Sequence, residues 1–302
     1  MSETAPLSGL WCATLTPLGQ DLRVDQARLA MHVQGLFAEG VAGIVLFGTM
    51  GEGPSFPVEE RVGGLEGLLA SGISTDRIVP ATGCAALADT LALTRHALQM
   101  GCPRCLILPP FFWKDLSDEA VFRYYATLID RVNDERLRVY LYHIPQLSAV
   151  PIRPDVVARL AAAYPGIVAG VKDSSGDFEH TAALLKCVPQ LSIMGGCEPQ
   201  LPQLRRAGGA GTICGVANLL PGAVAALLKP EVSPDDQSRI QSFVEIVFRY
   251  PFVSSVKAIR AAQTNDDGWS EVLPPLLPLN QAERESLFAA LHRAGFASAL
   301  SI

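Results

Sequence analysis

Lys172 closes the apolar run at residues 167–171 in the segment "IVAGVKDSSGD". Position alone admits two roles for it. It can pair with Asp173 or another carboxylate, or it can act as an amine. Burial penalises the ammonium form, and a neutral amine attacks carbonyls and can form a Schiff base. Tyr142 ends the preceding apolar run, "RVYLYH". Its phenol is a workable general acid/base beside a carbinolamine if the proton can be relayed; packing under a loop is the alternative. Thr49 lies in the turn "GTMGEG", residues 48–53. Its hydroxyl can pass a proton from Tyr142, while the amides of Gly48 and its neighbours can cradle a carboxylate. Such a turn also forms for backbone reasons alone. His143 follows Tyr142, points to the opposite face of its strand, and is read as structural. His32, His96, His180 and His292 fall on helices, and no set of His, Asp and Glu has metal-ligand spacing. No metal is expected.

The elements that must position these groups follow from hydrophobic patterning. Eight β-rich apolar runs (10–16, 43–48, 77–82, 104–109, 138–143, 167–172, 191–196 and 211–215) alternate with helix-like stretches at 25–39, 57–70, 87–100, 117–132, 154–163, 177–187, 199–207 and 221–228. Asp25, Ser117 and Pro154-Asp155 are helix-start signals. The runs are nearly continuously apolar, as strands covered on both faces should be. Eight β-α units fit an α/β fold of the (β/α)8 TIM-barrel type better than an open sheet. A dinucleotide-binding sheet would carry a glycine fingerprint after the first strand, and "TLTPLGQD" has none. The barrel is expected over residues 1–230 and a helical C-terminal extension over 231–302. In the extension, 233–250, 252–263 and 281–296 read as helices and 269–280 as a proline-rich link. Barrel chemistry sits at the C-terminal ends of the strands, where Lys172, Tyr142 and Thr49 all fall. Strand 4 ends in "PPFFWK" and strand 7 in "GGCE". Phe111, Phe112 and Trp113 fit an apolar acceptor pocket, or loop packing, or a subunit interface.

Bulk properties exclude several classes. The 302 residues are 49% hydrophobic and 18% charged, enough for a large core and against disorder. A net charge of −6 with no basic stripe argues against a nucleic-acid partner. No apolar run reaches about 18 residues, so no membrane span is expected. The N-terminal residues lack a signal-peptide pattern, and a cytoplasmic location is expected. Seven scattered cysteines do not make a disulfide framework. Cys102 and Cys105 form a lone CxxC that runs on into "CLIL" and reads as ordinary buried or half-buried thiols. The stretch "VARLAAAYPGIVAG" suits either a core helix or a subunit interface.

Four motifs in order, "GTMGEG", "PPFFWK", "YHIPQ" and "GVKDSSGD", with "GGAGTICGVANLLP" at 208–221, resemble the dihydrodipicolinate synthase/N-acetylneuraminate lyase family. These are class I, pyruvate-type aldolases on a (β/α)8 barrel with a helical extension. The resemblance implies that Lys172 is the Schiff-base lysine, Tyr142 the acid/base and Thr49 the hydroxyl relay. It implies that the backbone of Thr49 and Met50 holds the keto acid's carboxylate and that Ile213 presents a carbonyl to it. It also implies a homotetramer built from dimers, pyruvate and an aldehyde as small-molecule partners, and no metal or organic cofactor. A metal-dependent aldolase is disfavoured on the same sequence. The departures choose within the family. A dihydrodipicolinate synthase carries a tyrosine pair where Phe111 and Phe112 stand, and an arginine where Leu147 stands. Met50 replaces a second hydroxyl residue. The pattern looks closest to the branch that cleaves 2-keto-3-deoxy sugar acids such as 2-keto-3-deoxygluconate, with Phe112 near the acceptor. The alternatives are a keto-deoxy acid dehydratase or hydratase-aldolase, a dihydrodipicolinate synthase, and a catalytically silent keto-acid-binding protein.

Overall fold

Each of the eight apolar runs folds as a short strand. The structure, a computed structural model, describes residues 5–300. The strands are β1 (Gly9–Ala13), β2 (Gly43–Leu46), β3 (Ile78–Pro80), β4 (Arg104–Ile107), β5 (Arg138–His143), β6 (Val168–Asp173), β7 (Ser192–Gly195) and β8 (Gly211–Cys214). The barrel helices are α1 (Gln26–Ala38), α2 (Val58–Ala70), α3 (Leu87–Gln99), α4 (Asp118–Val132), a single turn α5 (Pro145–Ser148), α6 (Pro154–Ala163), α7 (Phe178–Cys187), α8 (Leu201–Arg206) and α9 (Pro221–Ala226). The start signals act as capping chemistry requires. Asp25 accepts from Arg28 N and Ser117 from Ala120 N, while Pro154 occupies the first turn of α6. Helix α5 was not visible in the pattern, since four residues carry no periodicity.

All strand pairs are parallel, in the order β3-β2-β1-β8-β7-β6-β5-β4. The ring closes between β3 and β4 through one isolated parallel bridge, Ala81 with Leu106, and the bond from Thr82 N to Leu106 O at 3.0 Å. Pro80 ends β3 and has no N–H to extend that ladder. This is the (β/α)8 barrel that the alternation implied. Strand 1 stops at Ala13 rather than reaching residue 16. Leu15 N is taken by the Asn218 side chain at 3.0 Å instead of a neighbouring strand. The N-terminal segment seals the floor of the barrel: Leu7 N donates to Tyr140 Oη at 2.8 Å and Leu7 O accepts from Ser192 Oγ at 2.6 Å.

The extension contains α10 (Pro234–Val247), α11 (Phe252–Thr264), α12 (Gln281–Arg293) and α13 (Ala297–Leu300). Asn280 and Glu283 form a reciprocal capping box at the start of α12. Val156, Val157, Leu160 and Ala161 of α6 are buried, so "VARLAAAYPGIVAG" includes a core face. Cys102 and Cys105 are free and buried, and burial pushes the Cys102 thiol up to about 11. Among the described residues no helix is long and apolar enough to cross a membrane.

Gly170 lies two residues before Lys172 on β6. A Cβ there would stand 2.3 Å from the Ser192 carbonyl oxygen and 2.6 Å from the Tyr140 ring. Only glycine allows β5, β6 and β7 to approach in this register. Gly170→Ala should therefore destabilise the barrel by about 1–3 kcal/mol through overpacking, read as a lower urea midpoint. An unchanged midpoint would contradict the close approach.

Candidate active site

Parallel pairing of β5 and β6 puts Tyr142 opposite Lys172 and His143 opposite Asp173. Alternation along a strand then sends the first pair to one face and the second to the other. Lys172 and Tyr142 face the barrel interior and are 3% and 2% exposed. Lys172 Nζ donates to Tyr142 Oη at 3.2 Å and stands 4.2 Å from the centre of its ring. Tyr142 Oη lies 3.1 Å from Thr49 Oγ1, on the turn after β2 across the mouth. The three groups named from sequence thus form one chain: amine, phenol, hydroxyl. Met50 and Gly48 lie on the same turn and are buried, and Ile213 is buried in the middle of β8. Phe112 is elsewhere. Its ring is 67% exposed on the loop after β4 and packs edge-to-face on Trp113.

Asp173 is not the partner of Lys172. One of its oxygens accepts from His180 Nδ1 at 2.8 Å and Thr181 Oγ1 at 2.9 Å; the other accepts from Ser175 N at 2.9 Å and Ser175 Oγ at 2.7 Å. The serine and aspartates after the lysine therefore bind β6 to the start of α7, where Asp177 caps the helix.

The fold also assembles one cluster of titratable groups that spacing in the sequence does not show. His143, Asp173 and His180 have ligand-type atoms within 4.8 Å of one another. Positions 143, 173 and 180 have no metal-like spacing in sequence, but strand register and the return of α7 bring them together. The ring atoms are already engaged. His180 Nε2 lies 3.0 Å from Ile152 O, and Ile152 N donates to His143 Nδ1 at 3.1 Å. The two rings stack at 3.9 Å and 15°. Both ring nitrogens of His180 face oxygen acceptors, an arrangement that favours the doubly protonated ring. Burial alone would lower its pKa, but Asp173 and the Ile152 carbonyl outweigh burial and raise it. Burial, then the neighbouring His180, holds His143 down to about 4. Burial would raise Asp173, and the bonds from His180 and Ser175 hold it below its usual value. Behind the Lys172–Tyr142 pair stands a hydrogen-bonded clamp that sequence reasoning missed.

Glu198, in the strand-7 motif, received no role from sequence. It is buried, accepts from Val216 N at 3.1 Å, and pins the turn that follows β8. Burial pushes its pKa up.

The class the structure defines is a (β/α)8 barrel with a lysine–tyrosine pair buried in its interior. Comparison with known proteins specifies it further. The family described as the dihydrodipicolinate synthetase family matches residues 6–294. An uncharacterized DapA-like lyase of Chloroflexus aurantiacus is 34% identical, covering 94% of this chain and 96% of its own. The crystal structure of dihydrodipicolinate synthase from Agrobacterium tumefaciens is 33% identical with a TM-score of 0.90, covering 96% of this chain and all of that one. A 2-keto-3-deoxygluconate aldolase variant of Sulfolobus solfataricus shares the fold, with a TM-score of 0.82 at 21% identity, over 96% of this chain and 98% of that one. The chain belongs to the dihydrodipicolinate synthetase family, and it is a carbon–carbon lyase.

The clamp has a pH signature. His180 has a raised folded pKa, so its contribution is fully present below its unfolded value of about 6.5 and is lost as pH rises through the folded value. Asp173 has a lowered folded pKa, so its contribution is present above about 3.9 and is lost as pH falls through the folded value. The stability difference between wild type and Asp173→Asn should be largest near about pH 5–6 and should shrink toward alkaline pH. Imidazole NMR should show His180 titrating lower in the variant. A His180 midpoint indifferent to the substitution would contradict the clamp.

Proposed function

We propose that this chain is a Schiff-base aldolase that reversibly cleaves a 2-keto-3-deoxy sugar acid, resembling 2-keto-3-deoxygluconate, to pyruvate and an aldehyde. The observation that carries the reading is the continuous chain from Lys172 Nζ through Tyr142 Oη to Thr49 Oγ1. In the proposed cycle Lys172 adds to the C2 ketone, water leaves, and an iminium forms. Tyr142, relayed by Thr49, takes the proton of the C4 hydroxyl. The C3–C4 bond breaks, its electron pair passes into the iminium, and an aldehyde departs from the pyruvate enamine. Protonation at C3 and hydrolysis release pyruvate and restore the amine. The iminium is the electron sink, so the cycle calls for no metal or organic cofactor. The amides of Gly48, Thr49 and Met50 receive the carboxylate, with the Ile213 carbonyl beside the bound keto acid.

Dihydrodipicolinate synthesis is the second reading, favoured by the names of the relatives. Two positions weigh against it. Phe112 has no hydroxyl to pass a proton, and Leu147, 62% exposed, cannot pair with a second carboxylate. A homotetrameric, cytoplasmic enzyme is part of the proposal.

Incubation with pyruvate and borohydride should add one reduced pyruvate at Lys172, mapped by peptide mass. Lys172→Ala should abolish turnover in a folded protein, and Tyr142→Phe should lower kcat about 10²–10⁴-fold. With a keto-deoxy acid, pyruvate and aldehyde should appear in equal amounts. Water loss without aldehyde would identify a dehydratase, and consumption of pyruvate with aspartate semialdehyde would identify the synthase. A folded protein that forms no adduct would overturn the Schiff-base reading.

A further inference from the structure

The turn after β2 is held by two different sets of contacts. From the barrel side, Thr16 Oγ1 donates to Gly51 O at 2.8 Å, and Gly53 N donates to Gly48 O at 3.0 Å. Glu52 adopts a left-handed conformation, with φ of 54°. That conformation turns its side chain away from the barrel and toward the C-terminal extension. There the Glu52 carboxylate meets the Lys257 ammonium of α11, and both side chains are 0% exposed. The other Glu52 oxygen accepts from Leu273 N at 2.6 Å, and Lys257 Nζ also donates to Glu271 O at 2.6 Å. Met50 of the turn and Phe252 of the same helix both lie against Gly215. A Cβ at Gly215 would lie 3.0 Å from Met50 Sδ and 3.1 Å from the Phe252 ring.

A buried ion pair is a poor way to add stability, since desolvation offsets most of the attraction. What it does supply is one geometry, because each partner must be met by the other and by the backbone groups around it. Here that geometry is imposed on the residue three positions after Thr49. We propose that Lys257 is a positioning residue for the keto-acid carboxylate, acting through Glu52 to hold the amides of Thr49 and Met50 at the binding angle. This rests on the reading that those amides receive the carboxylate. On it, the C-terminal extension is part of the site although it lines none of the catalytic chain.

The test uses two ketones and cyanoborohydride trapping at Lys172 in the full-length protein. Pyruvate carries the carboxylate, and acetone offers the carbonyl without it. Lys257→Met should raise the half-saturating pyruvate concentration about ten- to a hundredfold and leave acetone trapping unchanged. Glu52→Gln, which keeps the acceptor for Leu273 N, should act in the same direction. If Lys257→Met does not fold, the double variant Glu52→Gln/Lys257→Met leaves no lone buried charge and carries the same test. Equal losses for both ketones would mark the pair as general scaffolding, and no loss for either would remove its role; both results overturn the proposal. Failure of the wild type to trap pyruvate at all would instead strike the Schiff-base reading on which it rests.

Discussion

The register between β5 and β6 is the constraint on which the site depends. A shift of one residue would turn Tyr142 outward and His143 inward, because strand side chains alternate. The register is fixed on both faces. Inside, the amine of Lys172 meets the phenol of Tyr142. Outside, His143 stacks on a His180 that is bound to Asp173. The backbone of Ile152 serves both histidines, so the segment leading into α6 joins the same lock. Gly170 belongs to this arrangement as well, since its missing side chain lets the Tyr140 ring and the Ser192 carbonyl close on β6.

This division of labour keeps the Lys172 amine out of an ion pair with the aspartate that follows it. Asp173 is the nearest carboxylate in sequence to Lys172, yet the pleat assigns it to the outer layer. There its two oxygens are filled by a histidine, a threonine and a serine. A buried carboxylate left with free valences would be costly and would draw the lysine into an ion pair. With Asp173 saturated behind the strand, Lys172 makes its hydrogen bond to Tyr142.

The parts legible in the sequence are those encoded locally. Continuous apolar runs marked the eight strands, Asp25, Ser117 and Pro154 marked helix starts, and the ends of strands 2, 5 and 6 marked the hydroxyl, phenol and amine. The missed parts are pairings between distant segments. His143, Asp173 and His180 come together only once β5 lies beside β6 and α7 turns back. Glu52 and Lys257 are 205 residues apart, and neither spacing nor periodicity connects them. Lys257 sits in a helix whose pattern reads as ordinary amphipathic packing. Leu15 shows the converse case: its strand-like pattern is real, but the Asn218 amide captures its N–H and ends β1 early.

The floor of the barrel bears on how the chain is made. Leu7 is made before its two partners, Tyr140 and Ser192, which lie 133 and 185 residues downstream. The plug must therefore wait, unpaired, while most of the barrel is synthesised, and it can seat only after β5 and β7 are in place. Contacts of such long sequence separation form late and slow the final step. Vectorial synthesis thus leaves the mouth, where Lys172, Tyr142 and Thr49 meet, to be framed by the strands themselves. Leu7, made well before Tyr140 and Ser192, is among the last residues to be locked.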